Sequence, residues 1–304
     1  MTTYNPFADP EALIEDGLKV KDAIIKPSPA SSDSRGSDKP PRDEPGRQML
    51  NLPNGNYAFN SIPYQGRIVP ALELITQPLD NGANKTQAQW VEWAGQHPNE
   101  GTPVDSEILY QCLLRAYTLR EDAKHKPVVQ DFATVMQGLF DPNKPYFNTL
   151  TKVAYVAKSL DAVVSRLGSF PGNTKSSPVV VPQFTIYASD KNWSYLVLSL
   201  ERSEAELAKT NAVPSNAVPV LKEILGEGCE HAGAVFPYFS TRKNGSVRES
   251  RFWTPAKSNR AIGERVVALG LDGGDDDWFV IGAGGYVGPA LGVRPVGAEI
   301  FHSK

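Results

Sequence analysis

Apolar positions recur with a helical period along residues 87–168. Ile108, Leu109, Cys112, Leu113, Ala116 and Leu119 fall on one stripe, with Thr102 placed to cap, Pro103 at the first helical position and Asp105 near the capping-box site. A second helix is predicted from about Pro127, with Val128, Val129, Phe132, Val135, Met136 and Leu139 inward. A third is predicted from about Phe147 to Leu167, with Leu150, Val153, Ala157, Leu160 and Val164 inward and Gly168 as its stop. Three such helices joined by short turns predict a bundle. Trp90 and Trp93, three positions apart on one helical face, are read as core.

Downstream the pattern shifts to short runs of β-branched and aromatic residues. Strands are predicted over residues 178–188, interrupted by Pro182, and over 193–200, 264–269, 278–281 and 292–296. Pro295 cannot donate to a ladder, which favours an edge or a strand end. Ser203 has capping-box spacing for a short helix reaching about Lys209, and Pro219 can open another ending near Leu225. Upstream, Asn54-Gly55 signals a turn beside a short strand at Tyr57. Residues 67–77 fit a buried helix or two strand pieces equally well.

The N-terminus carries one short amphipathic segment over residues 10–16, with Asp9 as N-cap and Gly17 as stop, read as a capping helix or frayed end. Residues 26–47 hold five prolines, five serines and no large apolar side chain, so they are read as a disordered linker. The predicted organisation is α+β. It consists of a short helical segment (1–25), a linker (26–47), a helical domain (48–170) and a mixed domain with short strands and long loops (178–304), divided by the Pro/Gly/Asn stretch at 169–177.

Gly282, Gly284 and Gly288 follow a predicted strand, as in a dinucleotide fingerprint, but Val287 stands where the third glycine belongs. Only sixteen residues follow Gly288, and they include Pro289 and Pro295, which leaves no room for the helix of a βαβ unit. An irregular glycine-rich loop between strands is the better reading.

Phe252-Trp253-Thr254, a strand beginning near Glu264, a loop-rich interval and a terminal Gly292-Val293-Arg294-Pro295-Val296 together resemble the closing block of C-type-lectin-like domains of the formylglycine-generating-enzyme type. Variable proteins of diversity-generating retroelements end in a similar way. The resemblance implies a C-type-lectin-like fold for the second domain and a C-terminal variable region whose codons are rewritten by adenine mutagenesis. Residues 272–290 are built almost wholly from the residue types such rewriting yields, Trp278 being the exception. The ligand-binding positions implied are Asp272, Asp275, Asp276, Val280, Ile281, Ala283, Gly285, Tyr286, Val287 and Ala290. Tyr286, flanked by small residues, is the aromatic anchor expected of a hot spot, and Asp275 and Asp276 supply charge selectivity. No formylglycine-type cysteine pair is visible, so the resemblance carries binding and not catalysis.

Composition narrows the function classes. The 304 residues are 40% apolar and 21% charged, an ordinary globular balance, and the net charge of −3 argues against nucleic acid as partner. Two cysteines far apart in sequence, Cys112 and Cys229, do not make a disulfide framework. Neither a signal segment nor an apolar run of membrane-spanning length is read, so the chain is expected to be cytoplasmic. Cys229-Glu230-His231 lacks the further ligands zinc needs, and the aspartates at 272–277 lack the spacing of an EF-hand loop. They read as a packed cysteine and a solvated acidic turn. His97 and His125 are expected in solvent.

No metal or cofactor is therefore expected. The reading is a non-catalytic binder of a protein or other macromolecule through the C-terminal face. Two alternatives stand beside it: a hydrolase-like enzyme with a site assembled between the domains, and a structural protein forming homo-oligomers through the helices.

Overall fold

The computed structural model describes Gly46 and residues 48–141, 143–155, 161–167, 179–182, 193–197, 218–240, 250–255, 263–271, 278–283 and 286–301. The predicted helix at 10–16, most of the linker, the Ser203 helix and the 169–177 boundary lie outside them.

The chain opens with three antiparallel strands, β1 (Met49–Asn51), β2 (Tyr57–Tyr64) and β3 (Arg67–Ile75). The Asn54-Gly55 turn closes the first hairpin, with Leu52 N–H donating to Asn56 O at 2.8 Å. Gln65 and Gly66 close the second with φ of 49° and 71°, the two positive angles of the tight hairpin turn that matches strand twist. Residues 67–75, left open between helix and strand, are thus a strand.

Three helices follow or flank this sheet. In α1 (Gln87–Gln96), Thr86 and Gln89 form a reciprocal capping box. In α2 (Ser106–Leu119) the N-cap is Asp105, whose carboxylate accepts from Ile108 N–H at 3.0 Å. Thr102 and Pro103 instead form β4 (Thr102–Pro103), so the expected cap is displaced by three residues. All six apolar positions predicted for this helix are buried. In α3 (Lys126–Leu139), Pro127 stands in the first turn, and Val129, Phe132 and Met136 are buried.

The third predicted helix does not exist. Its place is taken by two antiparallel strands, β5 (Phe147–Tyr155) and β6 (Asp161–Arg166), so the predicted bundle is not formed. Thr149, Thr151 and Val153 are β-branched and favour extended backbone. Along β5 the consecutive residues Phe147 to Val153 are all buried, which removes the two-residue alternation that normally betrays a strand.

The seven-stranded sheet containing them is completed by β7 (Val179–Pro182), β8 (Trp193–Val197), β9 (Ser250–Pro255), β10 (Gly263–Leu271) and β11 (Trp278–Ala283). Its order is β7-β6-β5-β10-β11-β9-β8, antiparallel throughout except between β11 and β9. The last strand, β12 (Gly292–Pro295), returns to the first sheet and lies between β3 and β4, with Pro295 at its end.

Both sheets therefore combine strands from the segments 48–170 and 178–304. One large apolar cluster likewise runs from Met49 through α2 and α3 to Val267 and Val293. The first segment is not a helical domain, and the two do not keep separate cores.

Two further helices, α4 (Val218–Leu225), as predicted from Pro219, and α5 (Ala232–Tyr238), pack against α2. Cys112 on α2 and Cys229, just before α5, are both buried. The expectation of exposed histidines fails. His125 is 8% exposed with Nδ1 3.0 Å from the Asp122 carboxylate, and half-buried His97 stacks on Trp93 at 4.7 Å.

Candidate functional site

The implied ligand face begins at the β10–β11 hairpin. Its ladder runs in register from Val266 opposite Ala283 to Leu271 opposite Trp278, so residues 272–277 join the two strands at one end. Asp272, Asp275, Asp276 and Gly285 lie outside the described residues. Val280, Ile281 and Ala283 are consecutive or near-consecutive positions of β11, opposite Leu269, Ala268 and Val266. Neighbouring strand positions belong to opposite faces of a sheet, so Val280 and Ile281 do not serve one surface together.

Beyond β11 the chain becomes a strap tied down by its neighbours. Lys85 and Gly288 exchange two backbone hydrogen bonds of 3.1 Å, and Trp90 Nε1 donates to Gly288 O at 2.9 Å. Asn148 N donates to Pro289 O at 2.7 Å, Leu79 N to Ala290 O at 2.9 Å and Val104 N to Leu291 O at 2.9 Å. These donors lie at Leu79, Lys85, Trp90, Val104 and Asn148, so each carbonyl from Gly288 to Leu291 has a fixed partner. Ala290 is 0% exposed and packs with Leu79, Trp90, Trp93 and Leu150, which removes it from the ligand surface. The two tryptophans are core, as read from their spacing.

Tyr286 does not project freely. Its hydroxyl donates to Tyr146 O at 2.8 Å, and its ring lies 6.2 Å from that of Tyr146. Both rings are half-buried, while Val287 beside them is 49% exposed. Each ring fills a space that only glycine leaves open. A Cβ on Gly270 would lie 1.9 Å from Tyr146 Cδ1, and one on Gly288 would lie 2.5 Å from Tyr286 Cε1. Tyr146 thus rests on β10 one residue before the end of the ladder, next to the point where residues 272–277 depart. Its sequence context, a polar turn ahead of a strand, gave no signal of this role.

A second cluster is buried at the start of α2. Arg166 on β6 places Nη2 2.8 Å from Glu107 Oε2 and Nη1 3.7 Å from Asp105 Oδ2. Tyr64 donates to Asp105 Oδ2 at 2.7 Å, and Gln65 N–H to Glu107 Oε1 at 2.9 Å. Burial pushes the Glu107 carboxyl up to about 7. Arg166 opposes that shift, and the neighbouring Asp105 and Glu223 charges add to it.

The same region caps the C-terminal end of α4. Ser106 Oγ donates to Ile224 O at 2.6 Å, Gln111 Nε2 to Leu225 O at 2.9 Å and to Glu227 O at 2.6 Å, and Arg166 to Glu223 O. The last carbonyls of a helix have no partner within it, and here side chains from α2 and β6 supply them. Glu107 is 5% exposed and Asp105 4%, so these groups face one another in the protein interior.

Cys229 is a buried thiol, its pKa pushed up to about 12 by burial, which opposes a nucleophilic role with His231. Among the described residues no cluster of histidine, cysteine or carboxylate side chains could hold a metal ion, and no helix is long and apolar enough to cross a membrane. No family model matches the chain, and no curated protein or solved structure matches it.

Proposed function

We propose that this chain is a non-catalytic ligand-binding protein whose recognition face is drawn from the stretch between Asp272 and Val287, with one face only of β11 contributing and Ala290 serving as support. The supporting observation is how that stretch is rooted. The register-matched β10–β11 ladder holds its first part, and its last part enters a strap with the donors described above. A variable loop on a fixed base loses little conformational freedom on binding, which is the physical requirement for a recognition loop. The same arrangement suits a surface whose residues are rewritten while its frame stays constant. The C-type-lectin-like family and retroelement diversification remain part of this reading. Their support is the order of elements in the closing block: Phe252-Trp253-Thr254 in β9, Glu264 in β10 and Gly292 to Pro295 in β12.

Sequencing the DNA around the gene tests the diversification. A near-copy of the segment encoding residues 272–290, differing chiefly at adenines and close to a reverse-transcriptase frame, is expected. Absence of any such copy refutes diversification and leaves a fixed binding module. Binding itself is tested by panning a random peptide library on the full chain, with Val287→Ser and Tyr286→Leu expected to weaken the selected peptides.

A further inference from the structure

We propose that Arg166 is a two-position switch, moved from Glu107 to Asp105 when Glu107 takes up a proton, and that the move lets go of the C-terminal end of α4. The device lies in the buried cluster at the start of α2, so it stands or falls apart from the ligand-binding reading.

One guanidinium here faces three acceptors and satisfies two. Nη2 holds Glu107 Oε2 at 2.8 Å and donates to Glu223 O, whereas Nη1 faces Asp105 Oδ2 at 3.7 Å, beyond hydrogen-bond distance. Nη1 is buried, on a side chain only 8% exposed, and has no hydrogen-bond partner among the described residues. A buried donor left unpaired is costly, which favours any small move that pairs it. Closing its gap to Asp105 to an ordinary length of about 2.8 Å asks for a shift of only about 1 Å.

The charge on Glu107 holds Arg166 where it is. Glu107 Oε2 accepts from Arg166 and Oε1 from Gln65 N–H at 2.9 Å, so a proton on either oxygen sets donor against donor. The Gln65 N–H is fixed in its hairpin turn, whereas Arg166 has a second carboxylate beside it. The proton therefore enters at Oε2, and Arg166 yields. Asp105 does not compete for it, because its Oδ1 accepts from Ile108 N–H and its Oδ2 from the Tyr64 hydroxyl. The remaining charges around Glu107 are Glu223 on α4 and, further out, Arg67, whose guanidinium lies 5.7 Å over the Tyr64 ring. Burial lifts the Glu107 carboxyl to about 7, so the two positions exchange near neutrality. Below that pH Glu107 is neutral and Arg166 is drawn to Asp105; above it Arg166 returns to Glu107. Proton uptake still favours the fold as a whole, since it removes negative charge from the interior, while it withdraws the Arg166 donor from Glu223 O.

Crystal structures of the full chain at about pH 5 and about pH 8.5 read the switch directly. Arg166 Nη1 is expected within hydrogen-bond distance of Asp105 Oδ2 at the lower pH and outside it at the higher. Arg166 in one place at both would overturn the proposal. In solution, amide hydrogen exchange over residues 218–226, corrected for the intrinsic effect of pH, should be about two- to tenfold faster at the lower pH, the factor that one lost hydrogen bond gives. Glu107→Gln, neutral at every pH, should exchange at the fast rate throughout. Asp105→Asn keeps a side chain able to cap α2 but removes the charge that Arg166 moves to, and should exchange at the slow rate throughout. An unchanged near-UV spectrum would show that each variant is folded. An Arg166 with a merely structural role predicts no pH difference in the wild type, or the same difference in all three proteins, and either result refutes the switch.

Discussion

The buried Glu107 carboxyl makes folding stability depend on pH near neutrality. Its carboxyl lies beside Arg166 and within the field of Asp105 and Glu223, and burial lifts its pKa from 4.5 to about 7. The folded chain therefore binds this proton more tightly than the unfolded chain does. Between those two values the folded state holds a proton that the unfolded state has released, so stability falls as pH rises. The contribution is fully present below about pH 4.5 and gone above about pH 7. The shift of roughly 2.5 units, at 1.36 kcal/mol each, sets its size at about 3 kcal/mol. Urea unfolding followed by tryptophan fluorescence at half-unit steps from pH 5 to 8 reads it directly. Glu107→Gln keeps the shape, removes the titration and should flatten the profile over that window. Equal slopes in the two proteins would refute the assignment of this pH dependence to Glu107.

Two further outcomes probe the frame of the site. Arg294 forms two hydrogen bonds to Glu73, at 2.8 and 3.0 Å, across the β3–β12 register. Burial raises the Glu73 pKa, but bonds from Arg294, Asn56 and Asn54 outweigh it and hold the carboxyl below its ordinary range. Arg294→Ala leaves that carboxylate with only its Asn54 and Asn56 donors and, because the arginine side chain is 41% exposed, should cost about 1 kcal/mol at pH 7. Because a depressed acid contributes its stability above the unfolded pKa, the gap between wild type and variant should narrow as pH falls below about 4.5, seen in the same urea series. Trp90→Phe removes the donor to Gly288 O and should destabilise by about 1–2 kcal/mol. It should also speed amide exchange at Gly288, whose N–H is bonded to Lys85 O; unchanged exchange would show that the strap does not depend on Trp90.

Local chemistry was legible in the sequence wherever one element decided its own state. The apolar stripe of α2, the proline opening α3, the start of α4 at Val218 and the β-branched runs of β10, β11 and β12 each carry their signal within a few residues. Tyr286 stood out as an aromatic within a glycine-rich stretch, but the expectation that it projects failed, because its ring packs on Gly288 and its hydroxyl is bonded to Tyr146 O. β5 and β6 did not stand out, because β5 is enclosed on both sides and its Asn148, Thr149, Thr151 and Lys152 are buried along with its apolar residues. Burial on both sides erases alternation, and the remaining apolar spacing imitates a helix. The expected pair of separate domains failed with it.

The pairing of distant strands was decided by the tertiary structure alone. β12 lies between β3 and β4, and β5 beside β10, through backbone hydrogen bonds that any sequence of suitable shape could form. Only that pairing brings Tyr146 onto Gly270 and against Tyr286, and only the packing of β6 and α4 on α2 brings Arg166 to Glu107 and to the last carbonyls of α4. The sequence by itself determined which residues could serve as anchors, caps and charges, because those properties belong to single side chains and their near neighbours. Which of them meet was settled by sheet order and burial, which are properties of the whole chain's closure around one core.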